Sequence, residues 1–282
     1  MLVKILYVFY LFIIFFSAAV HPQNANKPKL IVGIVIDQMR FDYLYRFNDC
    51  YSEDGFKRLL KDGTNFTFAH YNYEFTSTGP GHSSIYTGTT PYYHGIIAND
   101  FYDRTKRAMI YCIGDDNFKS VGSSDNEGQM SPKRLLSTTI TDELKLATNG
   151  RSKIISVSFK DRGAVLPGGH NPDGVYWYDN KTGNFISSTY YVNALPQWVV
   201  DFNKRKLTDT FLSTGWHLSL PLEKYRINPF DESKYEMDRF KEGKTSFPHY
   251  FNNLKDDEKY GEFANTPFAN QIVAELAKSA LL

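Results

Sequence analysis

A threonine hydroxyl in this sequence stands where a turn runs into an expected helix. Thr78 comes directly before Gly79 and Pro80, and proline is favoured in the first turn of a helix. The N-terminus of a helix attracts anions, because its first backbone N–H groups are unpaired and its dipole is positive there. We therefore expect the hydroxyl of Thr78 to meet an anion-binding helix N-terminus.

Four other polar side chains follow apolar runs. Asp37 and Lys160 each come directly after a run that predicts a strand, and Asn99 follows a short apolar stretch. Active sites of open α/β sheets lie at the carboxyl ends of the strands, so Asp37 and Lys160 should face one cleft. Arg162 lies two positions after Lys160, and on extended backbone these two cations should point the same way.

Each of these residues has a simpler interpretation when it is taken alone. Asp37 is then a strand-end residue that caps a turn, Asn99 is a turn residue, and Lys160 and Arg162 are a solvated strand end. Their joint occurrence favours a site for a dianion. Charge-assisted contacts contribute about 1.5–3 kcal/mol each, and a transferring phosphoryl group spreads its charge over several oxygens.

The elements that must position these residues alternate between strands and helices. Residues 30–36 are a continuous apolar run rich in β-branched residues, which predicts a strand buried on both faces, and residues 154–159 predict another strand. Helices are expected over 52–63 and over 131–150, where Ser131 and Pro132 mark the start. This order predicts an α/β layered domain with a mainly parallel sheet.

Two further elements complete the pattern. Residues 174–178 and 184–190 flank a polar turn and predict an antiparallel hairpin. A last amphipathic helix opens at Thr266 and Pro267, and the chain stops inside its pattern without a C-cap signal. We interpret the chain as incomplete, with a natural terminal helix as the alternative.

The first nineteen residues are expected to be a signal peptide. Lys4 precedes an apolar run over residues 5–16, followed by small residues that end at Ala19. A membrane-spanning helix needs about 20 apolar residues, so a transmembrane anchor is the weaker alternative. The sequence thus predicts a periplasmic or secreted protein that has no membrane partner after cleavage.

Charge and cysteine content limit the other partners. Loss of residues 1–19 removes Lys4 from 32 basic residues and leaves 31 against 31 acidic ones, a net charge of zero. Nucleic acid is therefore not an expected partner. Cys50 and Cys112 are too few for a cysteine metal site and are either one disulfide or two separate thiols.

Four motifs in order are similar to those of the alkaline phosphatase superfamily, and most of all to the periplasmic PafA-type phosphatases. They are Asp37-Gln-Met-Arg, Thr78-Gly-Pro-Gly-His82, Gly95-Ile-Ile-Ala-Asn99-Asp and Phe159-Lys-Asp-Arg162-Gly-Ala-Val-Leu-Pro. The resemblance implies a three-layer α/β/α fold with a mainly parallel sheet and an inserted hairpin. Residues 20–282 would be the N-terminal part of that domain.

The resemblance also implies an activity, which is zinc-dependent hydrolysis of small-molecule phosphate monoesters through a phosphothreonine. Asp37 and Thr78 would be ligands of one ion of a two-zinc centre, and Thr78 would be the nucleophile. Asn99, Lys160 and Arg162 would contact the phosphoryl oxygens. A divalent ion lowers the pKa of a bound hydroxyl by many units, so no histidine base is required.

The histidines of this sequence are not expected to act as a catalytic base or to complete the metal site. His82 and His94 are expected to be structural, because metal activation leaves them no proton to transfer. The superfamily completes its metal site with further aspartates and histidines in patterns that none of the seven histidines matches. The resemblance places those ligands beyond Leu282, so this chain alone should neither hold two zinc ions tightly nor hydrolyse phosphate esters at a useful rate.

Three other functions are alternatives. A phosphodiesterase or nucleotide pyrophosphatase of the same superfamily shares the metal and nucleophile residues but generally lacks the pair formed by Lys160 and Arg162. A sulfatase needs a cysteine or serine that is converted to formylglycine, which Thr78 cannot become. The third is a catalytically silent fragment, and measured zinc content separates it from the enzymes.

Overall fold

The computed structural model describes residues 28–225 and 235–282. They divide into a short N-terminal unit that ends at Gln38 and a main unit that begins at Met39. The expected signal peptide lies outside the described residues. Among those residues, no helix is both long enough and apolar enough to cross a membrane.

The described part of the N-terminal unit, residues 28–38, contains no helix or strand. The prediction of a buried strand over 30–36 is therefore wrong for this structure, and Leu30, Ile34 and Ile36 are exposed. A strand that is apolar on both faces is stable only when ladder partners and covering layers bury it. This segment belongs to neither of the sheets described below.

The main unit is built from short helices around a small sheet. In its described part there are ten α-helices. They are α1 Tyr43–Arg46, α2 Arg58–Asp62, α3 Thr78–Thr87, α4 Pro91–His94, α5 Ile140–Ala147, α6 Asp161–Gly168, α7 Gln197–Lys204, α8 Leu207–Thr214, α9 Asp256–Glu262 and α10 Phe268–Ser279.

Six strands in the described part of this unit form two sheets. They are β1 Asp100–Asp103, β2 Ala108–Tyr111, β3 Ser120–Val121, β4 Ile155–Ser158, β5 Gly174–Tyr178 and β6 Phe185–Ser188. Strands β1 and β2 form an antiparallel pair, and the other four lie in the order β3-β6-β5-β4. Strands β4 and β5 are parallel, whereas β5 with β6 and β3 with β6 are antiparallel. The expected strand over 154–159 and the expected hairpin are both confirmed.

Helices cover both faces of the central strand β5. Tyr176 and Tyr178 pack with residues of α7 and α10, including Ile272 of α10. Val175 and Trp177, which point to the other face, pack with the apolar residues of α6. Because successive strand residues point to opposite faces, this double burial makes the layered α/β arrangement that the sequence predicts. The apolar face expected for the last helix is confirmed in α10.

The expected helix over 131–150 begins nine residues later, at Ile140. Ser131 does not cap it, because its hydroxyl donates to the buried carboxylate of Asp115 at 2.5 Å. Thr139 caps the helix instead, in a capping box with Asp142. The helix is therefore capped by Thr139, whose capping-box partner Asp142 lies three positions later.

The expected helix over 52–63 is also shorter than predicted. Its regular part is α2, which ends before Gly63 as expected. Gly55 has a φ of +99°, which interrupts the helical backbone between Ser52 and α2.

Asp142 also ties α5 to the loop after α6. Its carboxylate accepts hydrogen bonds from the backbone N–H groups of Thr139, His170 and Asn171 at 2.9, 2.8 and 3.1 Å. His170 donates Nδ1–H to the same carboxylate at 3.0 Å and Nε2–H to the carbonyl of Leu135 at 2.9 Å. Only an imidazolium can donate from both nitrogens, and the Asp142 carboxylate accordingly raises the pKa of His170.

Candidate active site

Thr78 is the first residue of α3 and is 8% exposed. Ser77 before it has extended backbone, and the N–H of Gly81 closes the first turn on the Ser77 carbonyl at 2.9 Å. The expected helix is confirmed and begins two residues before Pro80. The nucleophile predicted from the sequence therefore lies at a helix N-terminus, where an anion is stabilised.

Gly79 joins Thr78 to Asn99. Its backbone N–H donates to Asn99 Oδ1 at 2.7 Å. A Cβ atom at Gly79 would lie 3.1 Å from that oxygen and 3.3 Å from Cγ2 of Ile96, so a side chain has little room there. Because the amide oxygen of Asn99 is occupied by Gly79, the amide NH₂ group is the end that can donate to a phosphoryl oxygen.

Lys160 and Arg162 do not lie on extended backbone together, which corrects the sequence prediction. Lys160 is extended and caps α6, whereas Arg162 is the second residue of that helix. Lys160 is exposed and Arg162 is half-buried, so the two cations lie in different environments. The helix begins here because Asp161 favours a first turn, where its carboxylate accepts from the Arg162 N–H at 2.6 Å.

Two residues that the sequence analysis did not assign surround Arg162. Tyr111 donates its hydroxyl to Asp161 Oδ1 at 2.5 Å and accepts from Arg162 Nη1 at 2.9 Å. Burial and the neighbouring Asp161 carboxylate raise the pKa of Tyr111 well above its usual value, so this phenol stays protonated. The sequence could have indicated Asp161, because it lies between Lys160 and Arg162 in one of the four motifs. Tyr111 lies outside all four motifs, so the sequence did not indicate it.

Cys112 connects these groups to α3. It follows Tyr111, its backbone N–H donates to the Asn99 carbonyl at 2.8 Å, and its Sγ would lie 3.4 Å from a Cβ on Gly79. Burial, together with the Asp161 carboxylate, raises the pKa of Cys112 to about 12, so it is a neutral thiol. Cys50 and Cys112 are separate free thiols.

Both histidines near Thr78 are held by hydrogen bonds within the fold. His82 donates Nδ1–H to the Thr78 carbonyl at 2.9 Å. His94 is fully buried, accepts from the Ile96 N–H at 3.2 Å and lies 3.0 Å from the Ser84 hydroxyl. Burial lowers the pKa of His94 to about 4, so its imidazole is neutral. These contacts support the structural role expected for the two residues.

Asp37 lies in the N-terminal unit, in a turn where its carboxylate accepts from the Gln38 N–H at 3.1 Å. This is the turn-capping contact that the simpler interpretation of Asp37 predicts. Catalytic zinc takes about three protein ligands. The described residues contain no group of three or more His, Cys, Asp or Glu side chains that could hold a metal ion. The ligand roles of Asp37 and Thr78 stay predictions.

Comparison with known proteins places this arrangement in a family. Residues 31–269 match the type I phosphodiesterase / nucleotide pyrophosphatase family. The chain belongs to this family.

Relatives of this chain include named alkaline phosphatases. Alkaline phosphatase PhoV of Synechococcus elongatus is 50% identical over 264 residues, which are 93% of this chain and 48% of that protein. Alkaline phosphatase PafA of Elizabethkingia meningoseptica is 43% identical over 270 residues, which are 94% and 49% of the two chains. The resemblance to PafA-type phosphatases is confirmed.

The fold agrees with a solved phosphatase. A crystal structure of wild-type alkaline phosphatase PafA superposes with a TM-score of 0.86 at 42% identity, over 90% of this chain and 49% of that one. The alkaline phosphatase-like α/β fold is confirmed by this match. The chain spans about half the length of the relatives it matches.

Proposed function

We propose that this chain carries the nucleophile and the phosphoryl-binding residues of a hydrolase of small-molecule phosphate monoesters. The observation that carries the proposal is the meeting of three features. Thr78 begins α3, Gly79 is hydrogen-bonded to Asn99, and the neighbouring helix α6 begins with Arg162 in its first turn. The 43–50% identity to named alkaline phosphatases supports it.

In the proposed reaction, Thr78 Oγ bonds to phosphorus as the bond from phosphorus to the ester oxygen breaks. The hydroxyl proton of Thr78 passes to solvent, and the leaving oxygen takes a proton from solvent. Water then attacks the phosphothreonine, which releases inorganic phosphate and restores the hydroxyl. The Asn99 amide and the cations of Lys160 and Arg162 stabilise the charge on the phosphoryl oxygens during both steps.

Two zinc ions are the cofactor that we propose for a complete chain, with Asp37 and Thr78 among their ligands. A two-ion centre needs about six ligands, and the described residues provide no cluster that approaches this number. We expect purified residues 20–282 to bind less than one zinc per chain and to hydrolyse monoesters poorly. Metal analysis after gel filtration measures this, and two tightly bound zincs would contradict the prediction.

A catalytically silent fragment is the proposal's alternative from another class. Measured zinc content separates the two proposals. In a longer protein that carries these residues, the enzyme should bind zinc and the silent protein should not. Export to the periplasm or the medium is part of the main proposal, since residues 1–19 have the pattern of a signal peptide. Nucleic acid is not a proposed partner, because the mature net charge is zero.

Phosphodiester hydrolysis is the alternative that the family name favours. The Arg162→Ala variant distinguishes the two activities. In a full-length protein we expect it to lower kcat/KM for a monoester by roughly ten- to a hundredfold, the size of one charge-assisted contact. The loss on a diester should be smaller, because a diester presents one negative charge where a monoester presents two. The measurement compares p-nitrophenyl phosphate with bis-p-nitrophenyl phosphate.

Arg151→Ala is the matched control for this comparison, because Arg151 is exposed beyond α5 and bonds only to a backbone carbonyl among the described residues. It removes one positive charge from the protein without touching α3 or α6, and it should leave both activities unchanged. Equal losses on both substrates in Arg162→Ala would show that the arginine is not specific for monoesters. A wild-type protein that cleaves only the diester would overturn the proposed function.

A further inference from the structure

The hydroxyl of Tyr111 lies between two opposite charges at the candidate site. We propose that Tyr111 is a positioning residue, which keeps the guanidinium of Arg162 available for the phosphoryl group by preventing a direct salt bridge to Asp161. The inference rests on the proposed function, since it concerns how Arg162 meets its substrate.

The distances show how the hydroxyl intervenes. Tyr111 Oη is 2.5 Å from Asp161 Oδ1 and 2.9 Å from Arg162 Nη1, whereas Nη1 and Oδ1 are 3.9 Å apart. A carboxylate and a guanidinium this close normally form two parallel hydrogen bonds at about 2.8 Å. The tyrosine accepts from the arginine and donates to the aspartate, so it takes the place of that direct contact.

Oδ1 of Asp161 has two hydrogen-bond donors besides the arginine side chain. Its Oδ1 accepts from the backbone N–H of Arg162 at 2.6 Å and from the Tyr111 hydroxyl. The Arg162 Nε–H, by contrast, is buried and has no hydrogen-bond partner in the part of the chain that the structure describes. Among the described residues, the guanidinium therefore donates to Tyr111 at Nη1, and its Nη1 is too far from the Asp161 carboxylate for a direct hydrogen bond.

The tyrosine ring is held firmly enough to place its hydroxyl. Tyr111 ends β2, opposite Asp100 in the β1–β2 pair, and its ring packs against the core cluster that contains Ile113 and Val165. The Arg162 guanidinium carbon lies 5.9 Å from the ring centroid. A phenylalanine would keep this packing and lose only the hydroxyl. The strand thus fixes where the hydrogen bond to Arg162 is made.

The Tyr111→Phe variant should let Arg162 close onto Asp161. Monoester kcat/KM in a full-length protein should fall about three- to tenfold, the size of one hydrogen bond, with a smaller loss on the diester. The same change made in an Arg162→Ala background should have no further effect, because Tyr111 acts through the arginine. A purely structural role would give the same fold loss in both backgrounds and would overturn the proposal.

Tyr191→Phe is the control, because the Tyr191 ring packs against the same core cluster and its buried hydroxyl has no partner among the described residues. It should leave kcat/KM unchanged. Crystal structures of both variants give a readout that needs no activity. In Tyr111→Phe the 3.9 Å gap between Arg162 and Asp161 should close to a direct salt bridge, and in Tyr191→Phe it should remain.

An unmoved guanidinium in Tyr111→Phe would overturn the positioning role, whatever the kinetics show. A wild-type protein without monoesterase activity would instead overturn the proposed function, and the crystal structures would still decide whether Tyr111 separates the two charges. The two failures are therefore distinguishable.

Discussion

Thr78→Ala should remove the covalent phosphoenzyme and lower monoester hydrolysis by a factor on the order of 10³ or more in a full-length protein. The alanine methyl group cannot bond to phosphorus. The backbone should be unaffected, because the Thr78 carbonyl that accepts from His82 remains. Thr78→Ser should retain substantial turnover, since a serine hydroxyl occupies the same place. Acid quenching during turnover followed by mass spectrometry of the peptide detects the phosphoenzyme.

Thr87→Ala provides the matched control for this experiment. Thr87 ends the same helix and donates its hydroxyl to the Ser83 carbonyl at 2.7 Å. Its loss tests a threonine-to-alanine change in α3 away from the candidate nucleophile, and activity should persist. A phosphoenzyme trapped in Thr78→Ala would show that another residue attacks phosphorus.

Asp142→Ala should lower the free energy of unfolding by about 2–5 kcal/mol, because it removes a helix cap and leaves buried hydrogen-bond donors without an acceptor. The substitution leaves His170 without its anion and removes the capping box of α5. It also leaves the N–H of Asn171 without its acceptor. Urea denaturation followed by circular dichroism measures the change. Asp201→Ala, which removes an exposed carboxylate paired with Lys204, should leave the unfolding midpoint nearly unchanged.

The cost of Asp142→Ala should depend on pH. A group whose pKa is raised in the folded state contributes its stability below the unfolded pKa and loses it as pH rises through the folded pKa. The pKa of His170 is raised by Asp142. The difference between wild type and variant should therefore be larger at about pH 6 than at about pH 9. A difference that does not change over this range would show that His170 is not an imidazolium in the folded protein.

The helices and strands that could be predicted from the sequence are those whose formation depends on residues close by in the chain. Thr78 begins a helix because proline and glycine follow it, and the hairpin of β5 and β6 forms around a polar turn. The apolar face of α10 follows from its helical spacing. Thr78, Asn99 and Arg162 were identified in the same way, as polar residues placed where short motifs end.

The local sequence pattern predicted the wrong structure where residues distant in the chain decide the hydrogen bonds or the burial of a segment. Ser131 is a good capping residue, but Asp115 takes its hydroxyl and the helix begins after Thr139. Residues 30–36 have the composition of a buried strand, yet most of them are exposed in the described structure. Hydrogen-bond partners and covering layers decide such cases, and neither is visible in a short window of sequence.

The sequence by itself thus determined the polar groups of the candidate site, because residue type and local turn chemistry specify them. Only the tertiary structure decided how those groups are oriented. Arg162 entered a helix instead of continuing a strand, and its guanidinium met a hydroxyl from Tyr111, fifty-one positions earlier in the chain. The physical reason is that a side chain's direction and charge state depend on which buried groups share its hydrogen bonds, and the packing of β2 against the core selects those groups.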